Sequence, residues 1–249
     1  MKRRAMALLL FVLVVWWSEG TPQIIITENH YKVYEVPEAF KVVAPITLVD
    51  QFDIFKTDSV VLDKFATPVD KNGSGIFDPT LHQTWWEIFQ PQPGRDVLLD
   101  NQFGTQTWHV MDARYLVLPA LKDEFGPPPV WNHYKCYDAV GPPVNIPVTL
   151  IDQFGVVNAI AVEPVLFCNP VEKTVAGETS PIIDPAVHLA CYRLEPPQPS
   201  GFSAMAFDQF SAWPLMLIDH VWLCLPTEKR LFVPIEEGTW GKIKSLYRG

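Results

Sequence analysis

Six histidines, four cysteines and 28 carboxylates are the groups in this 249-residue chain with chemical potential, and the histidines recur at fixed spacing. His30, His82, His133 and His188 are each followed four positions later by an aromatic residue: Tyr34, Trp86, Tyr137 or Tyr192. Each leads on to a Gln-Phe pair, Gln51-Phe52, Gln102-Phe103, Gln153-Phe154 or Gln209-Phe210, preceded by Asp50, Asn101, Asp152 or Asp208. A Pro-x-x-Lys then closes each unit at Lys71, Lys122, Lys173 or Lys229. Imidazoles are common metal ligands. Here each belongs to a different unit, so only the fold could gather them. The bland expectation is a histidine that starts a strand and bonds to a neighbouring loop. The Asp/Asn-Gln-Phe segments read as turns, capped by the short polar side chain and anchored by the Phe. His109 and His220 have no equivalents in the other units, and nothing in the sequence pairs with them.

The cysteines fall in two columns. Cys136 and Cys191 precede the unit's Tyr, and Cys168 and Cys224 lie two before its Pro. The first two units carry Val33 with Ala66 and Trp85 with Val117 at those places, so both columns are Cys or both are apolar. That co-occurrence predicts Cys136–Cys168 and Cys191–Cys224 disulfides, each stabilising by roughly 3–4 kcal/mol through the unfolded chain. Pairing across units is the alternative, since four cysteines permit three connectivities. No close Cys-x-x-Cys pair favours zinc.

Two further patterns bear on binding. Asp70, Asn72, Ser74 and Asp78 stand at positions one, three, five and nine of a calcium-loop pattern with Gly75 at six, but position twelve is Leu81 in place of a bidentate carboxylate. A weak calcium site and an ordinary Gly-rich turn are the two readings; no other cofactor is expected. Trp108 and Trp213 follow the Gln-Phe turns of units two and four, where exposed rings would stack sugars. No nucleophile elbow, His-Glu-x-x-His, phosphate loop or paired-acid motif is present, so no catalytic residue is assigned and the expectation is a protein that is not an enzyme.

The elements that must position these groups follow from a period of about 50 residues. Units one and three share Pro-x-Thr-Leu-x-Asp-Gln-Phe (45–52 and 147–154). Units two and four share proline-rich inserts (90–94 and 196–201), giving the order A-B-A-B. The 24 prolines and many short apolar runs exclude long helices. Apolar columns beside an acidic one (Asp112, Glu163, Asp219) read as a long strand with one buried face, bulged near Pro164. About three strands per repeat predict an all-β chain of two related sandwich or barrel modules, residues 28–130 and 131–235, followed by a tail at 236–249. A four-bladed propeller is the alternative.

Lys2, Arg3 and Arg4, the apolar run Ala5–Trp17 and Ser18-Glu19-Gly20 read as a secretory signal peptide covering residues 1–20. Its loss changes the formal charge from −9 to about −11, by removal of three cations and one anion. That charge disfavours nucleic acid as a partner. No second long apolar run predicts a membrane span in the mature form.

His133-Tyr-Lys-Cys-Tyr, Asp152-Gln-Phe-Gly and Phe167-Cys-Asn-Pro-Val-Glu-Lys173, with their counterparts 188–192 and 223–229, resemble a repeat module of exported bacterial and archaeal proteins to which no function is assigned. The resemblance covers about residues 130–230 closely and 30–125 more loosely. It implies export and supplies no catalytic residue. The reading is an exported, non-enzymatic structural or interaction module of the cell envelope or extracellular space, its partner a cell-surface protein or polysaccharide. The alternatives are a carbohydrate-binding module and, third, a hydrolase with an unrecognised site.

Overall fold

The computed structural model describes residues 28–37 and 39–230; the expected signal peptide and tail lie outside the described residues. All regular structure there is β, in twelve strands. Within each repeat a short strand begins at or beside the repeat His: β1 (His30–Glu35), β4 (His82–Gln90), β7 (His133–Val140) and the first half of β11 (Val187–Phe207). A second strand runs to the Gln-Phe turn: β2 (Lys41–Val49), β5 (Arg95–Asn101), β8 (Ile146–Asp152) and the second half of β11. A long third strand returns from it: β3 (Ile54–Lys71), β6 (Gly104–Lys122), β9 (Gly155–Val175) and β12 (Ala212–Arg230). The small β10 (Glu178–Ser180) extends β9 as a hairpin.

The short strands and the distal halves of the long strands pair antiparallel in a closed circuit, β1–β3–β4–β6–β7–β9–β11–β12 and back to β1. Each short strand is thus flanked by its own long strand and by that of the preceding repeat. Closure removes the sheet edges that an open β-protein exposes. The proximal halves of the long strands leave the ring with the second strands as four hairpin arms. Register shifts mark the departures, at Leu62/Lys64, at Ala113/Tyr115 and opposite Pro164, where the sequence predicts a bulge.

Each arm ends against the repeat two places on. β2 pairs with the end of β9, β8 with the end of β3, β5 with the end of β12, and β11 with the end of β6. The short strands are therefore buried on both faces. One apolar cluster, including Val33, Ala66, Trp85, Val117, Tyr134 and Leu189, draws on all eight ring strands and on no arm, which places it inside the ring. The larger cluster joins the outer ring face (Tyr34, Phe65, Trp86, Tyr137, Phe167) to the arms (Leu48, Val97, Val148, Leu215). The all-β fold of four repeats is as the sequence predicts. One sheet runs through all four repeats: β6 pairs with β7 across the 130/131 boundary, and β1 pairs with β12. A propeller would keep each blade's ladder to itself, which this circuit does not.

Candidate functional site

The recurring residues meet at four equivalent stations, each assembled from an arm tip and two further repeats. At every tip the Asp or Asn folds back on its own turn: Oδ1 accepts the amide of Phe52, Phe103, Phe154 or Phe210 at 2.8–3.0 Å. The rest of that side chain reaches the diagonal repeat. Asp50 Oδ2 accepts from the Tyr137 hydroxyl at 2.6 Å and Asp152 Oδ2 from the Tyr34 hydroxyl at 2.8 Å. Asp208 Oδ2 accepts from Thr84 and the Trp86 indole, and Asn101 Nδ2 donates to the Tyr192 hydroxyl. The tip Phe stands edge-on to the same aromatic residue in all four, with ring centroids 5.0–5.7 Å apart.

The tip Gln and the closing Lys complete each station. Gln153 Nε2 lies 3.0 Å from His82 Nε2 and Gln51 Nε2 lies 3.5 Å from His188 Nε2, whereas His30 Nε2 and His133 Nδ1 are buried without a hydrogen-bond partner. His82 and His188 also contact the carbonyls of Thr80 and Ala186 through Nδ1. Lys71, Lys122, Lys173 and Lys229 lie over the rings of Phe103, Phe154, Phe210 and Phe52, each on the tip of the following repeat. Burial pulls His30, His82 and His188 down to about 4 and His133 to about 3. Burial also lowers Lys173 to about 8 and raises Asp208. The four histidines are held apart, one per station, each starting its strand as the sequence predicts. Among the described residues no cluster of His, Cys, Asp and Glu could hold a metal.

Both predicted disulfides are present, Cys136–Cys168 and Cys191–Cys224, each bridging directly paired ring strands. Three of the four calcium-pattern residues are otherwise engaged, while Asp70 Oδ1 is buried without a hydrogen-bond partner. Asn72 Oδ1 accepts the Thr149 amide, and Asp78 Oδ1 accepts the amide and hydroxyl of Thr80. Ser74 donates to the Gly75 carbonyl, and Asp70 lies at the end of β3. The exposed tryptophan pair is not found. Trp108 is 0 % exposed, packed edge-on to Tyr192, and Trp213 is half-buried between Trp86 and Phe40. Alternation along β6 turns Trp108 toward the ring instead of solvent.

Three buried charged groups lie outside the four-fold motif, though Lys32 and Lys135 share one position in the first and third repeats. Glu28 is buried at one end of the ring; Oε1 accepts from the Tyr31 hydroxyl and Oε2 from the Tyr134 hydroxyl, both at 2.7 Å, with the Trp131 indole also on Oε2. Lys32 and Lys135 are buried on the outer ring face, paired with Asp152 at 3.0 Å and Asp53 at 2.6 Å. A cleft of about 360 Å³ does gather Glu28, Asp100, Asp184 and Glu228. Glu28 is fully engaged, Asp100 accepts from Thr105 and Arg230, and Asp184 Oδ1 caps the Ala186 amide.

A family model described as "Repeat of unknown function (DUF7450)" matches residues 82–226. No curated protein and no solved structure matches the chain.

Proposed function

We propose, for a chain that belongs to this DUF7450 family of repeats of unknown function, an exported, non-enzymatic structural or interaction module of the cell envelope or extracellular space. One observation carries the reading: the turn Asp or Asn of every repeat is bonded to the diagonal repeat at a station, so the most regular polar residue of the motif serves architecture. The two buried disulfides suit an oxidising compartment, as does the signal-like segment at residues 1–20. Among the described residues no helix is long and apolar enough to cross a membrane. A stapled scaffold of this kind presents its arm faces to a protein or polysaccharide of the cell surface.

The test is to express the whole chain in a secreting host, sequence the amino terminus and titrate thiols. The reading expects a mature chain beginning near Thr21 with no free thiol. Retention of Met1 together with four titratable thiols would overturn it.

A further inference from the structure

Lys32 and Lys135 occupy the same place, two residues after the repeat His, and both are buried. The surroundings of Lys135 are complete. Its ammonium donates to Asp53 Oδ1 at 2.6 Å and Gln90 Oε1 at 2.8 Å, and lies 5.3 Å from the Phe55 ring. Aligned on the Gln-Phe turn, the third repeat has Gly155 and Val157 where the first has Asp53 and Phe55. Aligned on the His, the fourth has Pro196 where the second has Gln90. Around Lys32 a carboxylate, a carboxamide and a phenyl ring are therefore replaced by groups that cannot fill their places. Lys32 keeps Asp152 Oδ2 at 3.0 Å, an oxygen that also accepts from Tyr34 and Thr67.

The vacated space is a cavity of about 180 Å³ bounded by Lys32, Val157, Phe202 and His220. His220 stands where the other repeats carry Leu62, Ala113 and Pro164. It is 2 % exposed, and its Nε2 has no hydrogen-bond partner. A buried polar atom left so is costly and rare. The other polar groups of the wall are engaged: Gln198 Nε2 donates to the Asn158 carbonyl and Ser200 Oγ to that of Leu217. Phe154 and Phe202, stacked 4.6 Å apart, give the cavity an apolar side.

We propose that this cavity binds a small carboxylate, a short-chain acid whose oxygens take the places that Asp53 and Gln90 fill around Lys135. One oxygen accepts from the Lys32 ammonium and the other from His220 Nε2–H; the hydrocarbon end lies against Phe154, Val157 and Phe202. Burial, with Lys32 beside it, pulls His220 down to about 4, so the imidazole is neutral near pH 7 and carries one proton to donate. The ammonium–carboxylate contact is the stronger of the two bonds.

Sodium propionate, and propionamide as its neutral isostere, are titrated into the whole chain at constant ionic strength, followed by calorimetry and saturation-transfer NMR. The expected result is saturable propionate binding at least about tenfold tighter than propionamide, about 1.4 kcal/mol. His220→Leu, the residue of the first repeat, weakens it about tenfold. Val157→Phe, which installs the ring that Phe55 supplies at Lys135, abolishes it. Absence of saturable binding by the parent chain, equal affinity for the amide, or undiminished affinity in either variant would overturn the proposal. Melting curves accompany each variant; should Val157→Phe fail to fold, His220→Leu decides alone.

Discussion

The Asp152 carboxylate in the third repeat accepts the Tyr34 hydroxyl of the first at 2.8 Å, across 118 positions of sequence. The same carboxylate holds its own turn through the Phe154 amide, receives Thr67, and is the counter-ion of the buried Lys32. A residue that reads as a turn cap is thus also the joint between two diagonal repeats.

Asp152→Ala leaves Lys32 buried without its carboxylate, a loss of about 3–5 kcal/mol. Asp50→Asn keeps the turn acceptor and copies Asn101 of the second repeat, so it is expected to cost about 1 kcal/mol. Urea unfolding of the two variants should rank them in that order. Equal costs would mean the diagonal contact adds nothing to the cap.

The disulfides lie inside the ring, where the first repeat has Val33 against Ala66. Cys136→Val with Cys168→Ala is therefore expected to fold, with about 3 kcal/mol less stability, because the bridge closes 32 residues of unfolded chain. Denaturant melts with and without reductant check this: reductant should destabilise the variant less than the parent.

Five histidines have depressed pKa values, about 4 for His30, His82, His188 and His220 and about 3 for His133, chiefly through burial. Below the ordinary 6.5 the unfolded chain binds protons that the folded chain refuses, so this stability is complete above about pH 6.5 and falls as pH drops toward 4. Glu28, Asp138 and Asp208, raised by burial, act in the opposite sense. With five imidazoles against three carboxyls, the melting temperature should fall by several degrees from about pH 7 to about pH 4.5. A flat profile would contradict the burial of these rings.

Calcium should leave the melting temperature unchanged, because the oxygens of Asn72 and Asp78 already accept bonds from Thr149 and Thr80. Asp78→Ala is expected to cost about 1 kcal/mol equally with and without calcium. A calcium-dependent increase that Asp70→Ala abolishes would assign an ion site to this turn.

Much of this was legible in the sequence because it is local or repeated. The Asx turns follow from Asp-Gln-Phe, the bulges from Pro164 and its equivalents, and the bridges from two columns that change together. What the sequence hides is which repeat each motif residue serves. Tyr34 and Asp152, or Lys71 and Phe103, belong to different repeats, and a periodic pattern fixes spacing without fixing the rotation between copies. Trp108 departs from the sequence expectation for a simpler reason. An aromatic residue near a turn looks exposed until the arm is known to fold back over the ring. The Lys32 cavity is visible only as a difference between copies, once Lys135 shows what the site normally contains.

All four repeats are needed to close one ring, with each arm held by the repeat two places on. The most direct measurement is the solution behaviour of residues 131–235 alone, by light scattering and thermal melting. Cut from its partners, β7 loses β6 and β12 loses β1, and the tips Asp152 and Asp208 lose Tyr34 and Trp86. The expected result is an unfolded monomer, with cooperative melting only in a dimer where two copies restore four repeats. A monomeric fragment that melts cooperatively would contradict it and would divide the chain into two independent halves.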